Sequence, residues 1–171
     1  MEFLELAKER YAVRAYKDTP VEDEKLARIL EAAMVAPTAC NYQPQKIYVV
    51  KSEEKLKALA GITPCTFSAP VVFVVGYDVE RSAKGRIFEG HDFGDTDAAI
   101  VVTHMMLEAH ELGLGTCWVG HFNEAQVKAA LDLPENVRVR DLLPVGYPAD
   151  NAVPAPLHSK FRDMDDMVKE L

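Results

Sequence analysis

Two pairs of basic residues, far apart in the chain, are the clearest candidates for chemistry in this sequence. Arg10 and Arg14 lie in the segment ERYAVRAY, and Lys160 and Arg162 lie in HSKFRD. Converging arginine and lysine side chains suit a phosphate dianion, because guanidinium groups offer paired donors and lysine adds a further positive charge. If the backbone at the first pair is helical, the i, i+4 spacing places both arginine heads on one side. The alternative is four solvated surface cations, which is the commoner role of such residues.

A proline-rich loop, PTACNYQPQ over residues 37–45, is the second candidate region. Its amides, Asn41 and Gln43, could close the loop on itself or face a heterocycle with alternating donors and acceptors. Loop closure is the commoner of the two roles, so the residues alone leave both open.

The third candidate region is GLGTCWVGH, which contains Gly113, Gly115 and Gly120. Glycines allow backbone amides to approach a flat ligand closely. They follow a predicted helix and precede a predicted strand, which is the reverse of the order in a dinucleotide-binding fingerprint. Trp118 lies between them, and such a residue packs in a core more often than it stacks on a ligand.

The histidines and cysteines do not match a metal or nucleophile pattern. His104 and Glu108 are four residues apart on a predicted helix, but no H-E-x-x-H motif is present. Cys117 and His121 would lie about 13 Å apart on an extended strand, too far for proton transfer. The three cysteines form no C-x-x-C pair, so we expect neither a zinc site nor a disulfide framework, and a reducing cytoplasm fits best.

Length and charge limit the other classes of protein. The chain has 171 residues, of which 49% are hydrophobic, so we expect one domain over residues 1–171. A formal net charge of -8 disfavours nucleic acid as a partner. The apolar runs fall short of the roughly 20 residues that a membrane helix needs. The first residues lack the basic and apolar parts of a signal peptide, and we predict a cytoplasmic protein.

Hydrophobic periodicity predicts about five helices and four strands. We expect helices near residues 3–10, 22–36, 52–61, 95–112 and 123–131, and strands over 46–51, 71–77 and 138–147, with a short strand or an extended loop over 116–120. An extended tail with a short helix from about Met164 follows. The mixed order of helices and strands predicts an α+β fold with three layers. Helix 95–112 is apolar around nearly its whole circumference, so a symmetry-related subunit could cover the face that a small core leaves open.

Taken together, these segments resemble the nitroreductase family of FMN-dependent oxidoreductases. The resemblance rests on the co-occurrence of six segments over nearly the whole chain: ERYAVRAY, APTACNYQPQKIYVV, SAPVVFVV, DAAIVVTHMMLEAHELGLGTCWVGHF, LLPVGYP and Lys160-x-Arg162. It implies a three-layer α/β/α fold with a central, mostly antiparallel sheet. It also implies a homodimer with two flavins at the interface.

The resemblance assigns cofactor-binding roles to these segments. Arg10, Lys160 and Arg162 would hold the FMN phosphate, and Arg14 would lie near the ribityl chain and the N1–O2 edge of the flavin. The loop at residues 37–43 would line the flavin from the partner subunit, and the backbone around Gly120 would face flavin N5. The full predicted set is Arg10, Tyr11, Ala12, Arg14, Pro37, Thr38, Ala39, Asn41, Gln43, Trp118, Val119, Gly120, Lys160 and Arg162.

One departure from the family pattern bears on the phosphate. Family members usually carry Arg-Ser where this chain has Tyr11-Ala12, so a hydroxyl contact is missing and only the backbone can replace it.

The implied activity needs no catalytic side chain, because the cofactor performs the chemistry. NAD(P)H would reduce the flavin, and an electron-poor acceptor such as a nitroaromatic or a quinone would take its place in a ping-pong exchange. Two alternatives stay open: a flavin-binding protein without turnover, for sensing or storage, and a specialised flavin reductase with another acceptor.

Overall fold

A four-stranded antiparallel sheet forms the middle layer of the protein. The structure is a computed structural model and describes residues 2–85 and 90–171. The strands are β1 (Gln45–Val50), β2 (Val71–Asp78), β3 (Gly115–Thr116) and β4 (Val137–Gly146), in the order β1-β2-β4-β3. Strand β2 is buried along its whole length, as its unbroken apolar sequence predicts.

Helices cover both faces of the sheet. In the described residues they are α1 (Phe3–Glu9), α2 (Asp23–Val35), α3 (Glu53–Ile62), α4 (Gly94–Glu111), α5 (Glu124–Leu131) and α6 (Met164–Met167). On one face, α2 and α4 pack against alternate sheet residues such as Phe73 and Leu143. On the other, α3 and α5 pack against their neighbours, such as Val74 and Leu142. The alternation of side chains along a strand therefore produces the predicted three-layer α+β arrangement, and the prediction is confirmed.

Most boundaries differ by a residue from the sequence prediction, and two of the differences have a clear physical reason. Gly61 does not end α3, which continues to Ile62 and ends where Thr63, the residue before Pro64, takes an extended conformation. The strand predicted over residues 116–120 is shorter, since β3 contains only Gly115 and Thr116. The chain then leaves the sheet and returns to it in one isolated bridge from Val119 to Leu142.

Helix α4 is only partly enclosed within one chain. Ala98, Val101, Val102, Met105 and Ala109 are fully buried against the sheet and α2. The opposite face is half-exposed and contains Ala99, Ile100, Thr103, His104 and Leu107. The apolar circumference therefore exceeds what the described part of this chain covers.

Among the described residues, none of the helices combines the length and the apolarity that crossing a bilayer would require.

Candidate functional site

The first pair of cations lies on an extended segment beside the sheet, which we call the edge segment (residues 10–16). Ala12 forms a parallel bridge to Thr116 of β3, and the Val13 amide donates to the Thr116 carbonyl at 2.8 Å. The helical conformation considered for this pair does not occur, because α1 ends at Glu9. Side chains alternate along an extended chain, so the even spacing of Arg10 and Arg14 still favours one side for both.

The edge segment approaches β3 this closely because residue 115 is a glycine. A Cβ atom on Gly115 would lie 2.5 Å from Cγ2 of Val13, whose side chain is 2% exposed. Gly113, with φ of 77°, ends the turn that leads from α4 into β3. The glycines therefore place the edge segment against the strand.

The edge segment carries positive charge, and the carboxylate of Glu9 lies close enough to act on His110 beside it. Burial raises the pKa of the Cys117 thiol, and the positive charges of Arg14 and Arg10 oppose that rise, which locates both guanidinium groups near Cys117. None of the described carboxylates lies within ion-pair distance of Arg10, Arg14, Lys160 or Arg162. In a chain of net charge -8, these four cations are available to an anionic ligand.

A small cleft of about 110 Å³ opens beside Arg10. Tyr11, His110, Leu114 and Thr116 line it with Arg10. Burial lowers the pKa of His110, the negative charge of Glu9 opposes that shift, and the positive charge of Arg10 adds to it. The Oγ1 atom of Thr116 is buried and has no hydrogen-bond partner in the described part of the chain. Among the described residues, the cleft thus combines a cation without an ion pair and a hydroxyl group without a hydrogen bond.

The backbone amides of Val119 and Gly120, in the segment after β3, differ in whether they are already bonded. The amide of Val119 is occupied, since Val119 and Leu142 exchange two backbone hydrogen bonds of 2.9 Å. The next residue, Gly120, is exposed, makes no hydrogen bond to any described residue, and has open space where a Cβ atom would lie. Of the two predicted residues, Gly120 therefore has the amide that a ligand can reach.

Trp118 is held at its indole nitrogen. The Nε1 atom donates to Oδ1 of Asp141 at 2.5 Å, while 38% of the tryptophan remains exposed. Burial raises the pKa of Asp141, and the hydrogen bond from Trp118 opposes that rise. Trp118 is therefore neither a core residue nor a surface residue whose ring rotates freely.

The loop over residues 37–43, here the amide loop, closes on itself. Nε2 of Gln43 donates to Oδ1 of Asn41 at 3.0 Å, and the Gln43 amide donates to Oγ1 of Thr38 at 3.1 Å. Cys40, Asn41 and Gln43 all have positive φ values, a conformation that costs free energy in residues other than glycine. Self-closure and ligand binding are compatible here, because both amide side chains remain exposed.

Sequence reasoning missed two buried carboxylates. Asp97 accepts a hydrogen bond from the Ala39 amide at 2.8 Å, and Asp141 accepts one from Trp118. A signal for Asp97 was present, since it lies four residues before Val101 on the face of α4 that packs in the core. No comparable signal marks Asp141, whose partner is 23 residues away.

The second pair of cations lies in the tail (residues 148–171). Lys160 and Arg162 are exposed, and no hydrogen bond or ion pair joins them to the edge segment in the described residues. The tail nevertheless touches that segment. The Tyr11 hydroxyl donates to the Ala152 carbonyl at 3.2 Å, and the rings of Tyr11 and His158 meet edge to face at 6.2 Å.

No group of three or more potential metal ligands occurs within residues 2–85 and 90–171. The Nδ1 atom of His104 lies 2.9 Å from the Ile100 carbonyl on the same helix, so this ring is engaged locally.

Comparison with known proteins identifies the family. The model of the Nitroreductase family matches residues 7–65 and 60–147, which contain the edge segment, the amide loop and Gly120. This chain belongs to the nitroreductase family. A "Putative NADH dehydrogenase/NAD(P)H nitroreductase" of Methanothermobacter thermautotrophicus is 32% identical over 158 residues, which cover 88% of this chain and 80% of that protein.

Solved structures of the nitroreductase family share the whole fold. A nitroreductase family protein from Clostridium difficile 630 is 35% identical and has a TM-score of 0.92, with 99% of this chain and 98% of that chain covered. A putative nitroreductase from Desulfovibrio desulfuricans, solved in complex with FMN, is 28% identical and has a TM-score of 0.85. That match covers 100% of this chain and 97% of the other.

Proposed function

We propose that this nitroreductase family member is an FMN-dependent oxidoreductase that uses NAD(P)H to reduce electron-poor acceptors such as nitroaromatics or quinones. The observation that carries the proposal is the placement of Arg10, which forms no ion pair with a described carboxylate, beside the cleft at β3, with Arg14 on the same edge segment. Relatives named for NAD(P)H and a neighbour in complex with FMN support the choice of cofactor and donor.

The residues at the edge segment fit the phosphate end of FMN. Arg10 would donate to phosphate oxygens, and Lys160 and Arg162 would add charge from the tail. The buried hydroxyl of Thr116, which has no partner among the described residues, is a further polar group at this cleft.

The segment after β3 fits the ring end of FMN. The exposed Gly120 amide would donate to the flavin, and Arg14 would keep positive charge near its pyrimidine edge, where added electrons are stabilised by a cation. When bound, FMN supplies two-electron exchange between NAD(P)H and the acceptor in separate half-reactions. The role of this chain is to bind and orient the ring, with no side chain required to transfer a proton.

We also propose that the single domain works as a homodimer. Apolar side chains are exposed in four regions, which are α1, α2, the amide loop and the tail. They include Phe3, Leu4, Met34, Val35, Tyr42, Val153, Leu157, Phe161, Met164 and Met167. The half-exposed face of α4 adds to them. Exposed apolar side chains in such number are typical of an interface between subunits.

The test begins with the visible spectrum of protein purified without added cofactor. We expect flavin absorption, with one FMN released per chain, and a dimer by light scattering coupled to gel filtration. Steady-state oxidation of NADH or NADPH with a quinone or a nitro compound then separates an enzyme from a flavin-binding protein. Flavin absorption without NAD(P)H consumption would leave the binding role and refute the enzymatic one, and a protein that does not bind added FMN would refute both.

A further inference from the structure

The carboxylate of Asp97 lies at the start of α4 and is almost completely buried. The residue is 2% exposed, and Oδ1 accepts the Ala39 amide hydrogen at 2.8 Å. The other oxygen, Oδ2, is buried and receives no hydrogen bond from any described group. Burying a carboxylate with one oxygen unpaired costs stability, so a structural role alone accounts poorly for this residue.

The amide loop depends on this contact for its position. Its other hydrogen bonds are internal: Asn41 to Thr38, Tyr42 to Ala39, Gln43 to Thr38 and Gln43 to Asn41. Among the described residues, the bond from Ala39 to Asp97 is the only hydrogen bond from loop residues 37–43 to another element. Internal hydrogen bonds fix the shape of a loop, whereas a hydrogen bond to another element fixes its position relative to the rest of the protein.

The local conformation makes an external bond necessary. Cys40, Asn41 and Gln43 occupy the left-handed region, so the loop stores backbone strain that its surroundings must compensate. A hydrogen bond to a charged acceptor is stronger than one to a neutral group. The backbone of Asp97 is also held in place, because its amide donates to the Phe93 carbonyl in the first turn of α4.

We propose that Asp97 is a positioning residue that holds the amide loop in register with the flavin and the substrate through the Ala39 amide. This inference rests on the proposed function, in which the loop lines the flavin of the partner subunit. Asp97 does not touch the cofactor in this scheme. It acts through Ala39, and its removal would loosen the loop without changing the residues that the loop presents.

A set of four variants tests the proposal. Asp97→Ala removes the acceptor, and Asp97→Asn keeps an oxygen for the Ala39 amide. Ala39→Pro removes the donor. Proline fits at the first position of a turn, which Ala39 occupies, and Thr38 before it already has the extended conformation that a residue before proline adopts. Asp95→Ala is the matched control, because it removes a carboxylate from the same helix turn at an exposed position that does not contact the loop.

Three measurements are needed for each variant: the FMN dissociation constant by fluorescence quenching, kcat and KM for the acceptor, and hydrogen exchange of the loop amides in cofactor-free protein. We expect Asp97→Ala to weaken FMN binding about tenfold, to raise KM more than it lowers kcat, and to speed exchange at Ala39. Asp97→Asn should restore most of each value, and Asp95→Ala should behave like wild type.

A double-mutant cycle keeps the proposal falsifiable if one variant folds poorly. Because Asp97→Ala and Ala39→Pro break the same bond, their combined effect on FMN binding should be no larger than either effect alone. Additive effects would overturn the proposal, as would an Asp97→Ala protein with unchanged FMN binding and unchanged loop exchange. If Asp97→Ala does not fold, the comparison of Asp97→Asn with Ala39→Pro decides: equal losses would overturn the positioning role.

Failure of the proposed function gives a different result. If wild-type protein does not bind FMN, the proposed function falls together with the loop's role toward the flavin. If wild type binds FMN and Asp97→Ala binds it equally well, only the inference about Asp97 falls.

Discussion

The edge segment and the tail each carry two candidate phosphate-binding cations, but one chain holds them in very different ways. The edge segment is bonded to β3 through Val13 and Thr116, and Val13 is buried. The start of the tail is bonded to the edge segment, where the Ala149 amide donates to the Ala15 carbonyl, but the part that carries the cations is exposed, with Phe161 80% and Leu157 73% exposed. The fold of one chain therefore positions the first pair of cations in the predicted phosphate site, whereas the second pair requires a further contact to hold it in place.

This difference indicates how the site is assembled. Residues on the sheet edge have their positions set by burial and backbone hydrogen bonds, which are present whether or not a ligand is bound. The residues around Lys160 and Arg162 lack such constraints, so binding must provide the order, at a cost in conformational entropy. Substitutions in the two regions should consequently have different effects on stability and on affinity.

The largest effect is expected for Arg10→Ala. Loss of a guanidinium that donates to phosphate should weaken FMN binding about a hundredfold, close to 2.7 kcal/mol, with the melting temperature of the cofactor-free protein unchanged. Fluorescence titration with FMN measures the first quantity and thermal denaturation the second. Lys8→Ala removes an exposed cation two residues away and serves as the control. A mutant that binds FMN as tightly as wild type would count against the phosphate assignment.

The second effect tests what holds the edge segment. Gly115→Ala would place a methyl group 2.5 Å from Cγ2 of Val13, so we expect a loss of about 2 kcal/mol in the free energy of unfolding. Urea denaturation of the cofactor-free protein provides the measurement. Gly120→Ala is the control for stability, because it meets open space. Equal stability of both variants would show that the edge segment does not depend on this close approach.

The third effect concerns the tail. Removing both cations with Lys160→Ala and Arg162→Ala should weaken FMN binding about tenfold and leave the free energy of unfolding unchanged, since exposed charges contribute little to stability. The same titration and denaturation experiments apply, and Lys169→Ala is an exposed tail control. A loss of stability as large as that of Gly115→Ala would contradict the distinction between the two regions.

The smallest effect is expected at Asp141. Burial raises its pKa in the folded state above the usual 3.8, so the folded protein retains the proton longer and wild type loses stability as the pH rises through that range. Asp141→Asn keeps an acceptor for Trp118 and does not titrate. Its stability relative to wild type should therefore increase from pH 4 to pH 7, by less than about 1 kcal/mol, in urea denaturation. A constant difference at every pH would show that Asp141 does not titrate in this way.

Much of the fold could be predicted from the chain, and the reasons are local. The unbroken apolar run of β2, the proline that ends the second helix and the apolar circumference of α4 each determine an element through its own residues. The extended conformation of the edge segment was not predicted, because the basic and apolar residues there suit a helix or a strand equally well. Pairing with Thr116, more than a hundred residues away, selects the strand.

The candidate site divides in the same way. Residue types and the order of segments were enough to predict the cations, the amide loop and the glycine segment, because a phosphate needs cations and a flat ring needs accessible backbone amides. Only the tertiary structure showed that Gly120, not Val119, has a free amide, and that Asp97 and Asp141 anchor Ala39 and Trp118. Those facts depend on which partner satisfies each buried donor, and such partners lie far apart in the chain and meet only when the sheet and α4 have packed.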